Sequence, residues 1–273
     1  MNGTGIAIMA GLRFDDVLRL LPPHFRAALK GATATPTPGM GGASVFRISQ
    51  PAGGARYLKF ACGPEAEALG DEIARTAWLS SRGVRVPQFV MTAATATVTA
   101  GLMTAVPGRT PAHGGWSREQ ITDAARTIGR GLARLHAVPA ADCPFDEMPQ
   151  TRLAKARRDI DRNLIDGREF DDRNAGVTPE ALYARLAATV PEPRDVVVVH
   201  GDATLANMVI GGDLGFVDCG RAGRSDRYVD LAVVETDLRD RFGRDAAAAF
   251  ADAYGHGWDD RRAAFFRDLY ELF

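Results

Sequence analysis

Cysteine is scarce in this 273-residue chain. Cys62, Cys143 and Cys219 are scattered and odd in number, which argues against a disulfide framework, and no CxxC pair offers zinc ligands. No run of about 18 apolar residues exists, so no membrane-spanning helix is expected. Neither sign of charge dominates. Lys plus Arg total 33 against 34 for Asp plus Glu, a formal balance of −1, and general nucleic-acid binders carry a basic excess that is missing here. No G-x-x-x-x-G-K-[ST] segment occurs, which excludes a P-loop nucleotide site. No internal repeat is visible. The opening MNGTGIAIMAGLRF has a short apolar stretch without a basic flank before it, and reads as a poorly ordered leader, not a signal peptide. The expected compartment is the cytoplasm, with no nucleic-acid or membrane partner.

What remains is ordinary globular material, 46% hydrophobic and 25% charged. The length suits one large or two modest domains, and a chain this long needs no metal or disulfide staple. Apolar spacing predicts two short helical pieces over 14–29, broken at Pro22 and Pro23. Strands are expected over 44–48 and 56–60 around a turn at 51–54, then a helix from Pro64 to near Gly83, then strands over 88–92 and 96–103. Val106-Pro107-Gly108 marks a boundary. Beyond it helices are expected over 117–136, with Ser117 and Gln120 as a capping box, and over 151–164 and 179–190. Val196 to Val199 reads as a fully buried strand, and 208–210 with 214–217 as a hairpin about Gly211-Gly212. Helices return over 227–242, 245–254 and 259–272.

The chemistry concentrates in one stretch. The valine strand runs into His200-Gly201-Asp202, Asn207 follows five residues after the Asp, and the next strand ends in Asp218, eleven residues further on. Singly, an Asp or Asn in a loop is usually a turn former. Together they repeat the H-x-D-x-x-x-x-N arrangement of kinase catalytic loops, in which the Asp takes a proton and the Asn ligates metal. An amide oxygen on Asn207 and the Asp218 carboxylate suit Mg²⁺, which takes hard oxygen ligands and shares its remaining positions with water and phosphate. Asp202 would then orient an attacking hydroxyl. His200 reads as an orienting residue, not a base.

HGDATLANMVI followed by GFVDCGRAGRSDRYVDLA resembles the aminoglycoside 3′-phosphotransferases, a branch of the protein-kinase-like fold. CPFD at 143–146, LYARL at 182–186 and the terminal FFRDLYELF extend the likeness over about residues 35–273. The resemblance implies an α+β, bilobal fold: a small antiparallel-sheet N-lobe with one helix (1–105), a larger mainly helical C-lobe (106–273), and a nucleotide in the cleft where they meet. It implies a lysine on the third strand, matched by Lys59, paired with a helix glutamate. Glu65, Glu67 and Asp71 compete on composition, and the family pattern favours Glu72. Residues 39–44 fall where a phosphate-covering loop belongs, with Ser44 at its third glycine position. Tyr57 matches the aromatic that stacks on adenine, and the Thr104 carbonyl and Val106 amide match the hinge groups that read the purine edge.

For the substrate, the resemblance implies Glu169, Asp171 and Asp172 as an acidic loop. Glu271 and the α-carboxylate of Phe273 match positions that bind the drug's amines. Arg221 and Asp237 also fall on the substrate side, and Asp230 is expected to brace the HGD loop. Two positions depart from the family pattern. Thr236 stands where relatives carry Arg, and Tyr270 where they carry Asp. The implied activity moves the γ-phosphoryl of ATP or GTP, with Mg²⁺, to an aminoglycoside 3′-hydroxyl, conferring resistance, in a monomer or weak dimer. Lys59 would neutralise phosphate charge and Asp202 would take the proton. The competing readings are a kinase of another small hydroxyl compound (a sugar, an amino alcohol or a macrolide) and a non-catalytic binding protein on the same scaffold.

Overall fold

The computed structural model describes residues 13–37, 42–50 and 54–273. The leader, most of the glycine-rich loop and the turn at 51–53 therefore lie outside the described residues. The chain divides into two compact units, Met1–Pro107 and Gly108–Phe273.

The first unit opens with α1 (Phe14–Leu20) and α2 (Pro23–Ala28), separated at the two prolines. Strands β1 (Thr33–Thr37), β2 (Ser44–Ser49), β3 (Arg56–Cys62), β4 (Phe89–Ala94) and β5 (Val98–Thr104) form an antiparallel sheet in the order β1-β2-β3-β5-β4, and α3 (Pro64–Ser81) links β3 to β4. Side chains alternate along a strand, so Phe46 and Ile48, Leu58 and Phe60, and Ala100 and Leu102 share one face. Val17, Leu21, Phe25 and Leu29 from the helical segment bury against it. Lys59 lies between Leu58 and Phe60 and so points to the other face, where it meets α3. β1 was not expected from the sequence. Its TATPT carries a proline and no apolar alternation, and it is an edge strand, where proline is tolerated.

In the second unit, α4 (Arg118–His136) begins with the expected capping box between Ser117 and Gln120. Helices α5 (Pro149–Asp161) and α6 (Pro179–Ala187) follow. Strand β6 (Val196–Val199) pairs with β9 (Gly223–Asp226), and β7 (Met208–Gly211) forms a hairpin with β8 (Asp213–Phe216). The unit ends with α7 (Tyr228–Phe242), α8 (Arg244–Tyr254) and α9 (Asp260–Tyr270). α4 packs closely on α8 at Gly129, where a Cβ would stand 2.5 Å from the Phe250 carbonyl oxygen. The valine strand is buried only from Val197 onward. Val196 is 40% exposed, because the strand enters from a surface segment and has a single partner. That partner, Gly-Arg-Ser-Asp, has no strand-like apolar pattern and is drawn into extended form by pairing with β6. No helix among the described residues is long and apolar enough to cross a membrane.

Candidate functional site

β6 delivers His200, Gly201 and Asp202 into a loop whose backbone is gripped from beneath. Asp230, in the first turn of α7, has no solvent exposure. One of its oxygens accepts the His200 N–H at 2.7 Å and the other the Gly201 N–H at 2.8 Å. These are the bracing contacts expected from the sequence. Nε2 of His136 lies 3.1 Å from the same carboxylate, and Nδ1 of His136 lies 2.8 Å from the Tyr254 hydroxyl. Burial pushes the Asp230 carboxyl up, but the hydrogen bond and charge of His136 and the contacts with His200 outweigh it and hold the group below its ordinary value. Gly201 has φ +83°, and a Cβ there would stand 1.9 Å from the Arg221 carbonyl oxygen, so only glycine fits. Its own carbonyl accepts from the buried Arg152 guanidinium at 2.7 Å. Nδ1 of His200 accepts the Asp202 N–H, and Nε2 lies 2.9 Å from the Val217 carbonyl oxygen. Those partners fix a tautomer protonated at Nε2, with no lone pair left for a base.

Asn207 and Asp218 belong to the same bonded frame. The Asn207 side-chain amide donates to the Asp202 carbonyl at 2.9 Å, and the Val217 N–H donates to the Asn207 carbonyl at 3.0 Å. The next residue, Asp218, has φ +56°, a left-handed conformation that non-glycine residues seldom adopt. The Asn207 side chain spends its N–H on the loop and retains an oxygen, which with the Asp218 carboxylate makes a hard donor set of the kind Mg²⁺ prefers. Among the described residues no group of three or more His, Cys, Asp or Glu is placed to hold a metal by itself. A cation held by Asn207 and Asp218 would need further oxygens from water or phosphate.

Asp202 is engaged through one of its two oxygens. Oδ1 accepts the Tyr270 hydroxyl at 2.7 Å and lies 3.8 Å from an Arg221 guanidinium nitrogen. The side chain keeps 24% exposure. Burial, and then the Asp202 charge, push the Tyr270 phenol well above its ordinary value, so it stays a proton donor. The Phe273 ring has the Arg152 and Arg221 guanidinium carbons 5.2 and 5.3 Å from its centroid, within cation–π range. The contacts of Phe273 thus run through its ring and towards the loop.

The acidic residues divide. Glu169 and Asp172 are exposed. The Asp171 N–H donates to Glu271 at 3.2 Å, and Asp171 is also paired with Arg173. Burial, and then the Asp171 carboxyl beside it, push Glu271 up to about 7. Burial works against Asp171 too, but the hydrogen bond from Glu271 and the charge of Arg173 keep it below its ordinary value. Asp237 is engaged within the fold: it accepts the Leu205 N–H at 2.9 Å and is paired with Arg241.

In the first unit, Lys59 Nζ lies 2.8 and 2.7 Å from the two oxygens of Glu72, with side-chain exposures of 11% and 12%. Glu72 is thus the residue that meets Lys59. Ser44 opens β2 opposite Phe60, Tyr57 sits between Arg47 and Met103, Thr104 closes β5 and Val106 follows it. Sequence reasoning missed Arg152, His136 and Tyr254. Only Arg152 left a signal: it falls in the apolar stripe of α5 with Leu153, Ala156 and Ile160, where a charged residue needs a partner.

The model of the "Phosphotransferase enzyme family" matches residues 34–266. The aminoglycoside 3′-phosphotransferase of Streptomyces fradiae is 33% identical over 214 residues, 75% of this chain and 80% of that protein. The streptomycin 3″-kinase of Streptomyces griseus is 34% identical over 249 residues, 85% of this chain and 89% of that protein. Among solved structures, the aminoglycoside-3′-phosphotransferase of type VIII superposes with a TM-score of 0.85 at 32% identity, covering 95% of this chain and 98% of that one.

Proposed function

From the premise that the chain belongs to the phosphotransferase enzyme family, we propose that it transfers the γ-phosphoryl of ATP to the 3′-hydroxyl of an aminoglycoside, in the cytoplasm, and so confers resistance. One observation carries this reading. Asp202, Asn207 and Asp218 sit on backbone segments hydrogen-bonded to one another, and Asp230 braces the first of them.

Asp202 orients the acceptor alcohol and receives its proton as the oxygen attacks phosphorus. Asn207 and Asp218 hold Mg²⁺, which, when bound, neutralises charge on the phosphate oxygens. Lys59 contacts the phosphates, and Glu72 holds its ammonium in place. Phosphoryl transfer passes through a loose transition state, so fixed position and charge matter more than the strength of the base. The braced loop supports that division of labour, since its backbone need not reorganise during the reaction. The first unit acts as the nucleotide lobe, with Tyr57, Ser44, Thr104 and Val106 around the nucleotide. The second acts as the acceptor lobe, with Glu169, Asp171, Asp172, Arg221, Asp237, Glu271 and Phe273 on the substrate side.

A second reading has its own support. The 34% identity to a streptomycin 3″-kinase favours a different hydroxyl on a related drug. A coupled ADP-release assay with kanamycin, an aminoglycoside lacking the 3′-hydroxyl, and streptomycin separates the two. Release with kanamycin alone supports the 3′ reading, and release with streptomycin alone replaces it with the 3″ reading. No release with any of them removes the aminoglycoside assignment.

A further inference from the structure

We propose that Tyr270 is a positioning residue for Asp202: its hydroxyl fixes one carboxylate oxygen so that the other is presented to the acceptor alcohol. This rests on the proposed role of Asp202. The contacts on Asp202 are lopsided. Oδ1 accepts the Tyr270 hydroxyl at 2.7 Å and faces Arg221 at 3.8 Å, and among the described residues no side-chain hydrogen bond is made to Oδ2. A carboxylate at a loop tip can rotate and present either oxygen. A hydrogen bond from a tyrosine whose ring is held in a helix end removes that freedom, because its hydroxyl sits at the end of a rigid side chain with two rotatable bonds.

Arg221, the second contact, is held from the same stretch. Its guanidinium carbon lies 5.3 Å from the centroid of the Phe273 ring, and the Phe273 N–H donates to the Tyr270 carbonyl at 3.2 Å. The segment 270–273 therefore sets Oδ1 directly through Tyr270 and indirectly through Arg221. The Tyr270 hydroxyl also occupies the place of an alcohol against the carboxylate, so the acceptor must use the remaining oxygen.

The test is Tyr270→Phe, which keeps the ring and removes only the hydroxyl, made alone and combined with Asp202→Ala. The expected result is a fall in kcat of about tenfold, the rate equivalent of one charge-assisted hydrogen bond, with the KM for ATP unchanged. In the Asp202→Ala background the same substitution has no further effect, since a residue that acts through Asp202 cannot act without it. An unchanged kcat, or an equal loss in both backgrounds, overturns the proposal. A companion measurement needs no turnover. In protein carrying ζ-carbon-labelled tyrosine, the resonance that disappears in Tyr270→Phe is expected to shift in Asp202→Ala; if it stays in place, the pairing is absent. A wild-type protein inactive on every aminoglycoside removes the functional reading, and the resonance still decides the pairing.

Discussion

On the inner side of the His200-Gly201-Asp202 turn, the backbone is anchored by buried groups. Asp230 takes the His200 and Gly201 N–H groups, Arg152 takes the Gly201 carbonyl, and His136 and Tyr254 stand behind Asp230. On the outer side, contacts run between partly exposed side chains, Tyr270 and Arg221 on Asp202, and the neighbouring C-terminal segment meets the acidic loop where Glu271 accepts the Asp171 N–H. The inner side spends buried polar groups on shape. Removing one leaves buried partners unpaired at a cost water cannot offset. The outer side leaves carboxylates that a ligand can reach, and its residues can change without unfolding the loop. Of the two departures from the family pattern, Tyr270 lies on that outer side, whereas Thr236 lies in α7, the helix that also carries Asp230.

This contrast sets the order of the predictions. Asp202→Ala should lower turnover by roughly 10²–10⁴-fold, the range for a lost acid–base group, while urea denaturation shows little change in stability. Equal losses of turnover and stability would erase the distinction between the two sides. Asp230→Ala should cost about 2–5 kcal/mol in the same denaturation, from two buried N–H groups left without acceptors and a charge removed from His136. Its depressed pKa gives the sign of the pH effect. The stability Asp230 contributes is present above the ordinary carboxylate range and is lost as pH falls below about 4. Acid denaturation should accordingly be less steep in the variant than in the wild type.

Glu271 sharpens the outer side of the comparison. Its raised pKa means that its neutral form is favoured in the fold, so its contribution to stability fades as pH rises through about 7. A polycationic substrate prefers the ionised form and should expel the Glu271 proton. The KM for an aminoglycoside should therefore rise as pH falls below about 7, by up to about tenfold per unit for a single linked proton. Glu271→Gln should flatten that profile, as read from initial rates across the pH range. The smallest effect belongs to the valine strand. Val196→Thr at its exposed end should change stability by no more than about 0.5 kcal/mol, whereas Val198→Thr, which is fully buried, should cost visibly more in a thermal melt.

The inner side was legible in the sequence only where backbone spacing carries information. H-G-D followed by Asn207 and Asp218 is a local pattern of strand, loop and hairpin, whereas the brace from Asp230 was legible only through the family resemblance. The helices were legible for a similar reason, through prolines, caps and apolar spacing. β1 and β9 were not, because an edge strand and a pairing partner without alternation take their form from neighbours. Arg152 reaches the loop, and His136 and Tyr254 line up behind its Asp230 brace, from three different helices, a convergence that no spacing encodes. Tyr270 stood out as a departure from a family pattern, but its hydrogen bond to Asp202 depends on where α9 ends in space. Asp237 was placed by the resemblance alone, and its bonds to the Leu205 N–H and to Arg241 left no signal in the sequence.

The central claim is that Asp202, on a braced loop, receives the proton of an alcohol as phosphate is transferred to it. Its most direct test is transfer of label from γ-labelled ATP to kanamycin by the wild type and by Asp202→Ala, each first shown to be folded. The account predicts labelled drug from the wild type and transfer lower by about 10²-fold or more from the variant. Comparable labelling by the two proteins would contradict it.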